Sequence, residues 1–491
     1  MTTLLPVLAI ALLANLSLIG CAVGPDYAAP TRPTEQGYLP ESGNASGSPG
    51  RGETGQSVAL GVPLQADWWV RLGSPELDAT VALALANNRT LDSARANVAR
   101  AGELVRAARG ALFPQVDAAA GLAGRQYGAS FLGPEASTFP SFAAYTGGLA
   151  VSYDLDVFGG TRRKIEQAGA EADVQGEALN AVRLTVAGDT VIAALRYAAI
   201  RAQMDVVQRV VASDQQNITL VRAAHGAGVA TEMDVTTAQS QLDRDRALLP
   251  PLRQQLAVTR DALAVLVGRS PASWVPPEFD LGKMSLPQDI PLAFPSDLVR
   301  VRPDIRAAES RLRAANAAVG VATADLYPRI TLSAAIAEEG LTAGPAAAAW
   351  SLIGGLTAPI FHGGELSARK RAAQDAYQAA FADYQQTVLT AFQQIADSLH
   401  GLTNAADAMR MEHRALNSAS AALRLTRLGY GVGNAGIVQV LDAQRLQLLA
   451  ELNLVQARAQ RYVVTVNLFV AAGGGLADTS KQVAMARQMS R

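Results

Sequence analysis

The sequence predicts a mixed α/β membrane protein in which membrane-spanning β-strands continue into very long α-helices, built as an internal two-fold repeat. Three observations carry this. Two helical stretches end in similar words, "ARGALFPQV" at 108–116 and "ATADLYPRI" at 322–330, each stopped before a proline. After each stop come two strand-like segments of roughly 9 to 12 residues, the length a tilted membrane strand needs. After each pair of strands runs a helical pattern without a proline, 64 residues long from Thr161 to Ala224 and of similar length from Glu365 to Gly429. At 1.5 Å per residue each would extend roughly 95 Å, far beyond a globular helix.

Residues 1–20 contain an apolar run, Leu4 to Leu13, and no charged residue, and read as a secretory signal that is removed. A plain transmembrane anchor is the alternative, but Pro6, Asn15 and Ser17 leave the run short of the roughly 20 apolar residues a span requires. The chain has a single cysteine, Cys21, directly after this segment. One cysteine makes no intramolecular disulfide and is a poor start for a metal site. The word "LIGC" resembles the bacterial lipobox, which implies that Cys21 becomes an acylated N-terminus. That covalent lipid is the only cofactor expected.

Residues 21–66 are rich in Pro, Gly and Ser and read as an extended strap behind the anchor. The first repeat follows over 67–270, with strands at about 116–127 and 145–157 and long helices at about 161–224 and 232–268. The best strand is "GGLAVSYDLDVFGG", where Leu149, Val151, Tyr153, Leu155 and Val157 alternate with Ala150, Ser152, Asp154 and Asp156. In a membrane sheet the first series faces lipid, and Ser152, Asp154 and Asp156 face a water-filled lumen. Alternation alone fits a small soluble sheet equally well. A Pro-rich linker over 271–296 leads to the second repeat, 297–472, with strands at about 330–338 and 352–361 and helices at about 365–429 and 437–471. Residues 473–491 form a Gly-rich tail. The last helix carries a seven-residue stripe, Leu441, Leu448, Val455, Tyr462 and Phe469, which implies coiled-coil packing.

Lys and Arg total 42 against 43 Asp and Glu, which leaves no electrostatic footprint for nucleic acid. The four histidines are scattered without metal-ligand spacing, and no nucleophile motif is present, so a periplasmic enzyme is the weakest reading. Gly431, Gly433 and Gly436 spell G-x-G-x-x-G, but after a helix rather than a strand, so they predict a helix–helix turn and not a dinucleotide site. Four strands are too few to close a barrel, and an open edge cannot face lipid, so several chains must contribute.

The words "CAVGPDYAAP", "DWWVRLGSPELDATVALALANNRTL", "RPDIRAAESRLRAANAAVGVATADLYPRITL" and "VLDAQR" together resemble the TolC-like outer-membrane efflux ducts, in their NodT-like and OprM-like lipoprotein branch. The resemblance covers nearly the whole chain after Cys21. It implies a homotrimer, each chain giving four strands to one 12-stranded β-barrel in the outer membrane and its long helices to a periplasmic α-helical coiled-coil barrel. The implied partners are a periplasmic adaptor, an inner-membrane RND-type pump and outer-membrane lipid. A lipid-anchored periplasmic coiled-coil scaffold without a pore remains the alternative.

The two Gly-rich turns, "HGAGVATEMDV" and "YGVGNAGIVQV", should form the periplasmic tip, with Gly228, Val229, Gly433 and Asn434 at its apex as the adaptor-docking points. In the resembling family, acidic residues matching Asp234 and Asp442 ring the constriction, and Tyr430 matches a tyrosine that helps hold the tip shut. Ala435 stands where some members have a gating arginine, and Gln439 where some have a second aspartate. Carboxylates near a helix start are also stabilised by its dipole, so a capping role for both aspartates stays open.

Overall fold

The computed structural model describes residues 22–40, 56–126, 141–342 and 344–475. Residues 1–21, with Cys21 and its lipidation, lie outside the described residues, as do Tyr127 and the tail beyond 475. In chain order the elements are β1 (Ser57–Leu60), a 3₁₀ turn (Trp68–Leu72), α1 (Pro75–Asn87), α2 (Arg89–Gly110), β2 (Gln115–Arg125) and β3 (Phe142–Leu155). There follow α3 (Gly160–Gly226), α4 (Glu232–Arg246), α5 (Leu249–Leu266), β4 (Asp289–Leu292), α6 (Pro295–Val301) and α7 (Pro303–Ala324). The chain ends in β5 (Arg329–Leu341), β6 (Ala346–Thr357), α8 (Glu365–Gly431) and α9 (Ile437–Ala471). The two predicted long helices are each 67 residues long.

The residues group into two units. The first takes the described residues of 1–30 with 97–176 and 307–385. Its centre is a four-stranded antiparallel sheet in the order β2-β3-β5-β6, so the two hairpins of the repeat lie side by side through the β3–β5 pair. All four predicted strands are present, with shifted ends. β6 begins at Ala346, where an alanine run hid it, because pairing with β5 outweighs the poor β-propensity of alanine. It stops before Pro359, which has no N–H for the ladder, so Ile360 and Phe361 are not strand residues. β3 ends at Leu155, leaving Asp156 and Val157 outside the sheet.

In the same unit the word "VGPDY" is a clamp. Arg163 of α3 is buried, and its guanidinium reaches the carbonyls of Val23 and Gly24, the Asp26 carboxylate at 2.8 Å and the Glu166 carboxylate at 2.8 Å. Asn316 of α7 donates to the Pro25 carbonyl, the Tyr27 hydroxyl donates to Glu309, and the Arg313 guanidinium covers the Tyr27 ring. Gly24, at φ +98°, lies directly on Gly320 of α7, a contact that leaves no room for a Cβ.

The second unit takes the described residues of 31–96, 177–306 and 386–491. Its core is aromatic and aliphatic: Trp68 and Leu72 are fully buried, and Phe469 lies 5.4 Å from Trp68. Of the seven-residue stripe, Leu441, Leu448, Tyr462 and Phe469 are buried and Val455 is half-buried. Ser74 caps α1 by accepting from the Leu77 N–H, with Pro75 at the first helical position. Arg302 of "RPDIR" is buried and binds Asp304, Gln394 and the Ala471 carbonyl, the last at 2.7 Å.

Two expectations need correction here. The strap and the linker are not merely extended: Ser57–Leu60 and Asp289–Leu292 pair as a two-stranded parallel sheet. The return helix predicted over 232–268 is broken into α4 and α5. Pro250 and Pro251 explain the break, because neither can donate to a carbonyl in the preceding turn, while both suit the first turn of a new helix.

Candidate functional site

Strand register sorts the sheet into two faces. Val151 pairs with Val116 of β2 and Ala334 of β5, Leu149 with Ala118 and Ile336, and Tyr153 with Leu332; Ile336 in turn pairs with Trp350, and Ala334 with Leu352. Directly opposed residues share a face, so this face is apolar across all four strands. Glu338, opposite Gly147, is its acidic member. The other face carries Ser152 opposite Gln115 and Ser333, Ala150 opposite Asp117, and Asp154 opposite Thr331. Most of its members are polar or small, with Ile353 opposite Ser333 and, at the far end of the sheet, Phe142 and Leu341 as its large apolar members. Ser152 and Asp154 therefore share a face, and the lipid-type series of β3 occupies the other.

Asp156 does not belong with them. Its carboxylate accepts from the backbone N–H groups of Thr161 at 2.8 Å and Arg162 at 2.9 Å, and from the Arg162 guanidinium at 3.2 Å. The physical reason is the strand's end at Leu155: the chain turns there, and the first N–H groups of α3 need an acceptor that Asp156 supplies. Its position is a helix cap.

Each Gly-rich turn closes its long helix by the same hydrogen-bond pattern. The Val229 N–H donates to the Ala224 carbonyl and the Gly228 N–H to His225; the Asn434 N–H donates to Gly429 and the Gly433 N–H to Tyr430. This 6→1 and 5→2 pairing requires a left-handed residue, supplied by Gly228 at φ +75° and Gly433 at φ +80°. Gly431, Gly433 and Gly436 thus build a helix–helix turn. Val229 and Val432 are 81% and 73% exposed, so each turn presents a bare valine.

Behind the turns Tyr430 packs against a buried apolar cluster that includes Ile218, Val221, Leu242 and Leu441. Asp234 accepts from both the N–H and the hydroxyl of Thr231, while the Asp234 N–H donates to the Thr231 hydroxyl, a complete capping box. The Thr231 backbone bond first, then its hydroxyl, holds the Asp234 carboxyl below the usual carboxylate range. Asp442 lies in the second turn of α9 and accepts from Arg445 at 3.1 Å, both side chains being more than half exposed. Each predicted gate carboxylate therefore has a partner on its own side of its own helix. Sequence reasoning missed a set of buried polar residues farther along these helices, Asp214, Gln241, Asp245 and Gln444. Their only signal is polarity at positions in step with the apolar stripe.

Comparison with known proteins agrees with this architecture. The family model described as "Outer membrane efflux protein" matches residues 80–269 and 294–474. The outer membrane protein OprJ of Pseudomonas aeruginosa is 32% identical over 475 residues, covering 95% of each chain. The toluene efflux pump outer membrane protein TtgF of Pseudomonas putida is 30% identical over 478 residues, covering 95% of this chain and 97% of its own. The solved outer-membrane channel OprN superposes with a TM-score of 0.81 at 27% identity, over 92% of this chain and 99% of that one. With both repeats matched and the fold shared, the chain belongs to the outer membrane efflux protein family.

Proposed function

We propose that this chain is the outer-membrane channel of a tripartite efflux system, a passive duct for substrates handed on by an inner-membrane RND-type pump through a periplasmic adaptor. The observation that carries this is the sheet's division into an apolar and a polar face, with β2 and β6 as its outer strands. An apolar face suits lipid and a small polar face suits a water-filled lumen. Outer strands cannot remain unpaired in hydrocarbon, so β2 of one copy pairs with β6 of the next. Three copies close a barrel of 12 strands, and the long helices continue it as a coiled-coil barrel in the periplasm.

The remaining roles follow. Lipid on Cys21 adds an anchor to the outer membrane, and the Arg163 clamp fixes the segment just behind it. The exposed Val229 and Val432, at turns set by Gly228 and Gly433 beside Asn434, are the apolar points offered to the adaptor. Asp234 and Asp442, with Tyr430 behind them, line the narrowing of the tip in three copies each, concentrating negative charge in an aqueous passage. Purified protein should show single-channel conductance in planar bilayers, and a Cys21→Ser variant carrying introduced cysteines in β2 and β6 should cross-link into a closed three-chain ring. Absence of both would leave the lipid-anchored scaffold without a pore.

A further inference from the structure

A polar layer interrupts the helical core behind the turns. On the turn side lie buried Ile218, Val221, Leu242 and Leu441, and on the other side buried Val206, Val207, Leu249 and Leu448. Between them Asp214 of α3 is 1% exposed and Asp245 of α4 is 5% exposed. Gln444 of α9 donates to Asp214 Oδ1 at 2.8 Å, and Gln241 donates to Asp245 Oδ2 at 2.8 Å. Neither amide can turn its oxygen inward, because Asn217 holds the oxygen of Gln444 and Arg244 that of Gln241. Asp214 Oδ2 has no donor, and Asp245 is its charged neighbour in the layer, where the next residues of the two helices are joined, Arg246 to Gln215 at 2.7 Å.

No cation relieves this pair. On α4, Arg244 binds Gln241, and Arg246 binds Gln215 and approaches Asp243; on α9, Arg445 binds Asp442; on α8, Arg427 donates to the Ser213 hydroxyl. Among the described residues none of these cations pairs with Asp214 or Asp245. Two buried carboxyl groups in contact without a cation do not both ionise. Burial first, then the hydrogen bond and charge of Asp245, push Asp214 up to about 7, against the opposing donation from Gln444.

We propose that Asp214 keeps a proton that it donates to the Asp245 carboxylate, and that this proton is a latch joining α3 to α4 and α9 above the tip turn. With the proton in place, one carboxyl donates to the other and the layer is satisfied. When the proton leaves to water, two carboxylates face each other and the helices part. Asp214 lies 12 residues before Gly226, about 18 Å along the helix, so parting there loosens the tip. The consequence for gating rests on the duct reading; the proton does not. The direction follows from linkage. In the packed layer Asp214 ionises near 7, while in a loosened, hydrated layer it returns to the ordinary range near 4. The latch is therefore strongest at low pH and weakens as pH rises through that window, by about tenfold per pH unit, with no further change above about 7.

Infrared difference spectra of the full-length protein in nanodiscs test the proton, and hydrogen exchange of the α3–α4 tip amides tests the latch. Asp214→Asn and Asp245→Asn mimic the protonated partner and should fold. The wild type should show a protonated-carboxyl C=O band at pH 5 that fades by pH 8 and is missing from both variants. Tip exchange in the wild type, measured against Asp214→Asn at the same pH, should rise by about tenfold per unit between pH 5 and 7 and then level off. Loss of the band at pH 5, its survival in both variants, or equal pH profiles of exchange would overturn the proposal. So would loosening by a divalent-metal chelator at pH 6, which would assign the pair to a cation. A wild type showing band and exchange response but no conductance at any pH refutes the duct reading and leaves the latch standing.

Discussion

Asp156→Ala separates the two roles that sequence and structure give this residue. As a lumen carboxylate it would tune ion selectivity and leave stability alone; as a cap it holds α3 to the end of β3. The substitution removes acceptors for the Thr161 and Arg162 N–H groups at 2.8 and 2.9 Å. A lost N-terminal cap costs about 0.5–2 kcal/mol. The Arg162–Asp156 ion pair has its arginine 41% and its carboxylate 14% exposed, so after solvent screening it adds no more than about 1 kcal/mol. The total is about 0.5–3 kcal/mol per chain. Asp156→Asn keeps one acceptor oxygen and should cost about half as much. Thermal unfolding followed by circular dichroism should rank wild type above the Asn variant and the Asn variant above the Ala variant. An Ala variant with an unchanged midpoint but altered ion selectivity would show that the carboxylate faces water and that the cap is dispensable.

On the sheet, Val151→Asp puts a charge on the apolar face and should reduce the yield of assembled protein on non-denaturing gels, while Ser152→Asp on the polar face should not; equal yields would contradict the two-faced reading. Gly228→Val and Gly433→Val meet open space, since no atom lies within 4 Å of an added Cβ, so only left-handed backbone strain of about 1–2 kcal/mol applies. That strain should appear as faster hydrogen exchange confined to the turns. Asp234→Ala with Asp442→Ala should lower cation selectivity and divalent block in single-channel records with assembly intact; unchanged selectivity would leave Asp234 with its cap alone. Phe469→Ala, at a fully buried site against Trp68, should cost about 3–5 kcal/mol in denaturant unfolding.

The long helices, the turns between them and the four strands were legible because each has a local cause: an apolar period, a proline stop or a left-handed glycine. The break at Pro250 also has a local cause, but the strong helical pattern on both sides of it masked that signal. The strand formed by "SVAL" has no such cause, since four residues in a polar strap become a strand only when residues 289–292 lie beside them. Asp156 reads as a lumen residue in the sequence because alternation continues past Leu155, where the backbone leaves the sheet. Of the candidate site, the turn glycines and the faces of β3 could be read from one segment at a time. The Asp214–Asp245 contact and the grip of Arg163 on Asp26 could not, because each joins side chains that only tertiary packing brings together.

The β1–β4 pair fixes an order of events during biogenesis. Ser57 and Asp289, joined by a hydrogen bond of 2.7 Å, are 232 residues apart. In a chain emerging from its N-terminus, β1 waits without a partner while the whole first repeat is delivered, and closing so long a loop is entropically slow. The strap can therefore fasten only after the linker has been secreted, and the exposed N-terminal region is open to proteases until then. Moving the pairing strand closer in sequence, by circular permutation, would shorten that window without changing the finished fold.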